Sequence, residues 1–170
     1  AADPPPAGRF APNTLNHWRE WEGEAEAAVP CVTRLRRHLS AIIAAHTDPT
    51  TGLVDYRHAG QSEDFGRFRV DTSELQVVDY LSLGTAERTC FCIELYNMMI
   101  QHAYSQLGVV SDIADPRRER FFGNVGYVVQ GQKITLRELE HGVLRANAPR
   151  PGRHWPDDDP RHARTELPDP

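Results

Sequence analysis

Two histidines, His102 and His141, and the polar groups near them in the chain are the residues best suited to chemistry. An imidazole oriented by a carboxylate or an amide can take a proton from a thiol or from water, because that second partner fixes the tautomer and stabilises the imidazolium. Glu94 and Asn97 precede His102 within one apolar stretch, and Glu140 adjoins His141. The candidate catalytic set is therefore His102, His141, Glu94, Asn97 and Glu140, provided the two segments that carry them cross. Cys90 is the candidate nucleophile, one helical turn before Glu94, although a carboxylate at that distance raises a thiol pKa and makes it less reactive. Cys92 falls on the apolar side and reads as core. The competing reading of the same residues is a buried hydrogen-bond network in which Glu94, Asn97, His102 and Arg145, with Tyr96 and Asn147, satisfy one another and the backbone without reacting.

Other chemistries have weaker support. His154, Asp157, Asp158, Asp159 and His162 form a ligand-rich run near the C-terminus, but without ordered flanking structure such a run reads as solvated charge, so no metal site and no cofactor are expected. There is no phosphate-cradling glycine loop, no Cys-x-x-Cys redox pair and no Gly-x-Ser-x-Gly elbow.

The element that must position these groups is Arg88 to Gly108, the longest apolar segment. At roughly 100° per residue its apolar side chains cover most of a helix circumference, leaving a polar seam of Cys90, Glu94, Asn97, Gln101 and Ser105 with His102 at its edge. A helix is expected over about 86–107, capped by Thr85 and stopped by Gly108. Upstream, Asn13 or Thr14 can cap a helix through Trp18 and Trp21 that ends at Pro30, and Val32, Leu35, Leu39, Ile42 and Ile43 recur at helical spacing from Cys31 to Thr47. Leu53 to Tyr56 is a short strand candidate, and Ser62 caps a helix with Glu63 and Asp64 in its first turn. Downstream, Phe121-Phe122 and Gly126 to Gln130 read as extended, Gly131-Gln132 as a hairpin tip, and Lys133-Ile134 as the return strand. Thr135 and Glu138 then form a reciprocal capping box for a helix running to about Asn147. The expected fold is α+β and mainly helical, with the helix of about 86–107 at its centre and a small hairpin over about 126–134.

With 170 residues the chain has the size of one domain, read as a Pro-rich arm over 1–12, a domain over 13–150 and a Pro-, Asp- and His-rich tail over 151–170. The net charge of −5 and the scattered basic residues leave no stripe for a nucleic-acid backbone. No apolar run approaches the ~20 residues of a membrane span. Cys31, Cys90 and Cys92 are an odd number, and Cys90 and Cys92 would point about 200° apart on a helix, so a soluble protein of a reducing, intracellular compartment is expected.

The string Phe91-Cys-Ile-Glu-Leu-Tyr-Asn97 followed by His102 resembles the Phe-x-Ile-Asn-Leu-Tyr-Asn pattern followed by His in the domain-of-unknown-function 547 family. Phe121-Phe122, Tyr127, Gly131, Leu136 and Leu139-Glu-His141 with Leu144-Arg145 follow that family's order, and Val54-Asp-Tyr56 sits where the family has a similar triplet. The resemblance covers roughly residues 32 to 150. It implies a Cys–His hydrolase-like site whose cysteine comes from a downstream Cys-Gly-Ala-x-Ser-Cys-Pro motif. This chain ends at Leu167-Pro-Asp-Pro170 without that motif, and Glu94 replaces the family's Asn, so a truncated, split or spliced form of the domain is expected.

Two functions follow as expectations. The first is a non-catalytic binding or structural module, with protein partners covering an exposed helix face and a hairpin edge in a larger assembly. The second is a Cys–His hydrolase or thiol enzyme that uses His102 or His141 with a cysteine supplied elsewhere.

Overall fold

A computed structural model of the chain describes residues 13–110, 114–115 and 117–145. The order is α1 (Ala28–Ala45), α2 (Tyr56–Gln61), α3 (Glu63–Asp71), a 3-10 turn (Thr72–Gln76), α4 (Thr85–Leu107), α5 (Arg117–Asn124), β1 (Gly126–Val129), β2 (Gln132–Thr135) and a π-helical turn (Glu138–Val143). The fold is mainly helical α+β, and α4 is its longest element. Phe91, Cys92, Leu95, Met98, Met99, His102 and Ala103 of α4 are buried, and α1, α2 and the π turn pack against it. From α1 the core receives Cys31, Val32, Leu35, Leu39, Ile42 and Ile43, and from α3 Phe65 and Phe68.

Several local expectations hold. Ser62 caps α3, its hydroxyl accepting from the Phe65 N–H at 3.1 Å, a contact worth about 1 kcal/mol. Thr135 and Glu138 form the reciprocal box: the Thr135 N–H donates to Glu138 at 3.0 Å and the Glu138 N–H to the Thr135 hydroxyl at 3.2 Å. β1 and β2 pair antiparallel with Tyr127 opposite Ile134 and Val129 opposite Gln132. The tip is Gln130-Gly131, one residue earlier than expected. Both residues have positive φ, 48° and 75°, which the tight type I′ hairpin turn requires. Gln130 tolerates it because its side chain donates to Asp79 at 2.8 Å and accepts from the Leu81 N–H at 3.3 Å.

Other expectations are corrected. Residues 13–27 contain no helix, and Pro30 lies in the first turn of α1 instead of ending a helix. A proline there lacks only an N–H that the first turn leaves unpaired in any case. Residues 13–16 instead run beside β1: the Leu15 N–H donates to Gly126 O, the Gly126 N–H to Asn13 O, and Asn16 takes both backbone groups of Val128 at 2.8 Å. The outer edge of β1, expected to need another chain, is thus covered by this one. The strand expected over 53–56 is a single bridge between Val54 and Thr47, the residue before Thr85 caps α4, and Phe121-Phe122 are helical, with Phe121 facing inward. In place of a regular helix after Leu136, the Leu144 N–H reaches back five residues to Leu139 O. Asn147, the Pro-rich arm and the tail with His154 and His162 lie outside the described residues.

Candidate functional site

His102 sits on the inner face of α4 and is fully buried. The rings of Phe65 and Phe68 from α3 meet its imidazole edge-on at centroid distances of 5.3 and 5.1 Å. Its Nε2 lies 3.1 Å from Gln106 Oε1, an atom that only accepts, so Nε2 carries the proton and donates. Nδ1 then accepts from the Tyr127 hydroxyl of β1 at 2.8 Å. Burial drives the His102 pKa down to about 3, opposed by the bond to Gln106 and aided by the charge of Arg69. The ring is neutral at physiological pH, with both nitrogens engaged in the core. The polar seam does not close around it: Glu94 pairs with Arg36 of α1 at 2.5 Å, and Asn97 and Arg145 are exposed.

His141 has a different setting. With Glu140 it lines an open cleft of about 610 Å³ between α4, α5 and the π turn, facing Tyr96, Ile100 and Tyr104 of α4 and Arg118, Glu119 and Phe122 of α5. The Tyr96 hydroxyl donates to Glu140 at 3.2 Å, while His141 Nε2 lies 3.8 Å from the other Glu140 oxygen. Burial, then the charge of Glu140, pushes the Tyr96 phenol up to about 12, so it stays a donor. Arg137 pairs with Glu119 across the cleft wall, and Gly123 leaves room for the Arg137 guanidinium, which a Cβ there would approach to 3.2 Å. The cleft can hydrogen-bond a polar group through the phenol, imidazole, guanidinium and carboxylates. Of the residues expected to act together, Tyr96, Glu140 and His141 meet; His102 stands apart in the core.

The family model described as "Protein of unknown function, DUF547" matches residues 80–170. The chain belongs to that family. The matched span holds both histidines and starts after Val54-Asp-Tyr56. No curated protein and no solved structure matches the chain.

In this DUF547 chain the thiols stand away from the cleft. Cys31 and Cys92 are buried, and burial, then the nearby Glu74 carboxylate, pushes the Cys31 thiol up to about 12. Cys90 is exposed. It lies about 9 Å along α4 from Tyr96 and about 120° around it, so its side chain leaves the helix on a different face.

Three residues central to the DUF547 chain's polar interior were missed from sequence. Asn16 ties residues 13–16 to β1, and buried Glu74 takes the Arg34 guanidinium at 2.5 Å and the Glu26 N–H at 2.7 Å. Arg69 lies over the Trp18 ring at 4.0 Å. Only Arg69 carried a readable signal: it follows Phe65 by one helical turn and so shares that residue's buried face.

Proposed function

We propose that the chain is a binding or structural module that works within a larger protein assembly. The observation that carries this reading is the enclosure of His102, neutral, solvent-free and bonded through both nitrogens to Tyr127 and Gln106. A general base needs a nitrogen within reach of the proton it removes, and this one has none to offer. The thiols add support: two are core, and Cys90 leaves α4 away from the cleft of His141. Exposed apolar side chains, among them Ile93 at 46 % next to Cys92 and Glu94, give a partner something to cover. The net charge of −5 favours a protein over a nucleic acid as that partner, and the three free thiols suit a reducing compartment. Among the described residues no helix is long and apolar enough to cross a membrane.

A second reading has one observation in its favour. His141 and Glu140 line an open cleft with Tyr96, so a cysteine brought by another chain could complete a Cys–His hydrolase or thiol enzyme there. Iodoacetamide at neutral pH separates the two. The binding reading expects slow modification confined to Cys90, at the same rate in the His141→Ala variant. Rapid modification of one thiol that His141→Ala abolishes would favour the enzyme. Native mass measurement of the protein from its source should exceed the mass of one chain, and a single-chain mass would count against the assembly.

A further inference from the structure

A second cleft, of about 890 Å³, opens between α2 and the C-terminal end of α4. Arg69 of α3 lines it. Its guanidinium is stacked on Trp18 at 4.0 Å and lies 5.6 Å from the centroid of Phe65. The Nε atom is buried with no acceptor, and no carboxylate among the described residues pairs with Arg69. Three other arginines are matched by carboxylates: Arg34 holds Glu74 and Glu26, Arg36 holds Glu94, and Arg137 holds Glu119. Desolvation alone acts on Arg69, lowering its pKa with no opposing carboxylate. Stacking on an indole offsets part of the cost of taking a guanidinium from water, but leaves its fork of donors unused.

The remaining lining narrows what could use that fork. Val54, Tyr56, Tyr104 and Val109 give an apolar wall, and Leu53, 71 % exposed, stands at the mouth. Asp48 and Asp55 line the same cleft, and both are held in the charged form, Asp48 by the N–H groups of Thr51 and Thr50 and Asp55 by His58. With Arg57, exposed on the same lining, the cleft carries two guanidinium groups against two carboxylates, a balance that disfavours a dianion such as phosphate, whereas a single carboxylate matches the half-buried Arg69 fork in charge and in bidentate geometry.

We infer that this cleft binds a monocarboxylate with an apolar body, its carboxylate taken by Arg69 and its body lying against Tyr56, Tyr104 and Val109. The proposal goes beyond the module reading: the site shares only Tyr104 with the cleft of His141, and Gln106, which bonds His102, lines it too. Binding brings the Arg69 donors an anion that the described residues do not supply.

The test is a titration of the full chain followed by nuclear magnetic resonance at the Arg69 Nε–Hε signal, with 3-phenylpropionate, its uncharged amide and inorganic phosphate as probes. Saturable binding of 3-phenylpropionate that shifts this signal is expected, with the amide and phosphate weaker by about tenfold or more, the loss of one charge-assisted hydrogen-bonded pair. Arg69→Gln should weaken the carboxylate by a similar factor. Leu53→Asp, at an exposed position that folding tolerates, should weaken it also by placing a like charge at the mouth. Failure of 3-phenylpropionate to saturate, equal binding of the amide or of phosphate, or affinity unchanged in both variants would overturn the proposal.

Discussion

The two histidines of this chain lie on segments that meet, yet their surroundings differ in kind. His102 is packed between Phe65, Phe68 and Tyr127 with a fixed tautomer, whereas His141 lines an open, charged cleft beside Glu140. The difference comes from what covers each face of α4. On the inner face α3 and β1 bring aromatic rings, and burial keeps the imidazole neutral. On the side of Tyr96, Ile100 and Tyr104 the cover is α5 and the π turn, which bring Arg118, Glu119, Arg137 and Glu140. One helix thus presents a dry wall and a wet one, and the same residue type, buried in both places, meets aromatic rings on the first and borders a charged cleft on the second.

The largest contrast is between two close approaches around α4, each disturbed by one methyl group. A Cβ on Gly60 would come 1.9 Å from the Ser105 carbonyl oxygen, so Gly60→Ala must drive α2 off α4. A loss of about 3 kcal/mol in chemical denaturation is expected. Gly123→Ala meets only the far end of Arg137, at 3.2 Å, and gains helix propensity, so its effect should stay under about 1 kcal/mol. Comparable losses in the two variants would mean that the α2–α4 contact is no tighter than the border of the His141 cleft.

His102→Gln comes next. It keeps a donor and an acceptor but loses the ring between Phe65 and Phe68, and should cost about 2–4 kcal/mol, against about 1 kcal/mol for His141→Gln. It also carries a signature in pH. The His102 pKa is lowered from 6.5 in the unfolded chain to about 3 in the folded one, so between these values the unfolded state binds the extra proton. Its stabilising contribution is complete above pH 6.5 and falls as the pH drops towards 3, with a slope approaching ~1.4 kcal/mol per pH unit. His102→Gln should flatten the acid side of the stability curve by that slope; an unchanged slope would contradict the enclosure.

On the wet wall, Tyr96→Phe removes one hydrogen bond to Glu140 at 3.2 Å. The expected loss is about 1 kcal/mol, read by thermal or chemical unfolding. A loss as large as that of His102→Gln would show that this cleft is as tightly built as the core.

Local signals were legible in the sequence where one or two neighbouring residues decide the backbone. The Thr135–Glu138 box, the Ser62 cap, the extent of α4 and the position of the hairpin all follow from such short-range chemistry. Expectations failed where a distant residue decides. Trp18 and Trp21 suggested a helix, but Asn16 bonds to Val128 across 112 residues and holds the segment beside β1. Phe121-Phe122 suggested a strand by side-chain preference, and the helix they form instead buries Phe121 in the core. The candidate site divided in the same way. Tyr96, Glu140 and His141 converge, whereas the enclosure of His102 depends on rings of α3, more than thirty residues upstream, and on Tyr127 of β1. Helical spacing on α4 places His102 at the edge of a polar seam but carries no information about what packs over it.

The most direct test is nitrogen-detected nuclear magnetic resonance of the His102 ring across an acid titration. The expected spectrum shows Nε2 protonated and Nδ1 bare, unchanged from neutral pH down to the onset of unfolding, in keeping with a pKa near 3. A ring that titrates in the folded protein near the ordinary value of 6.5, or that carries its proton on Nδ1, would contradict a structural His102 and return it to the candidates for catalysis.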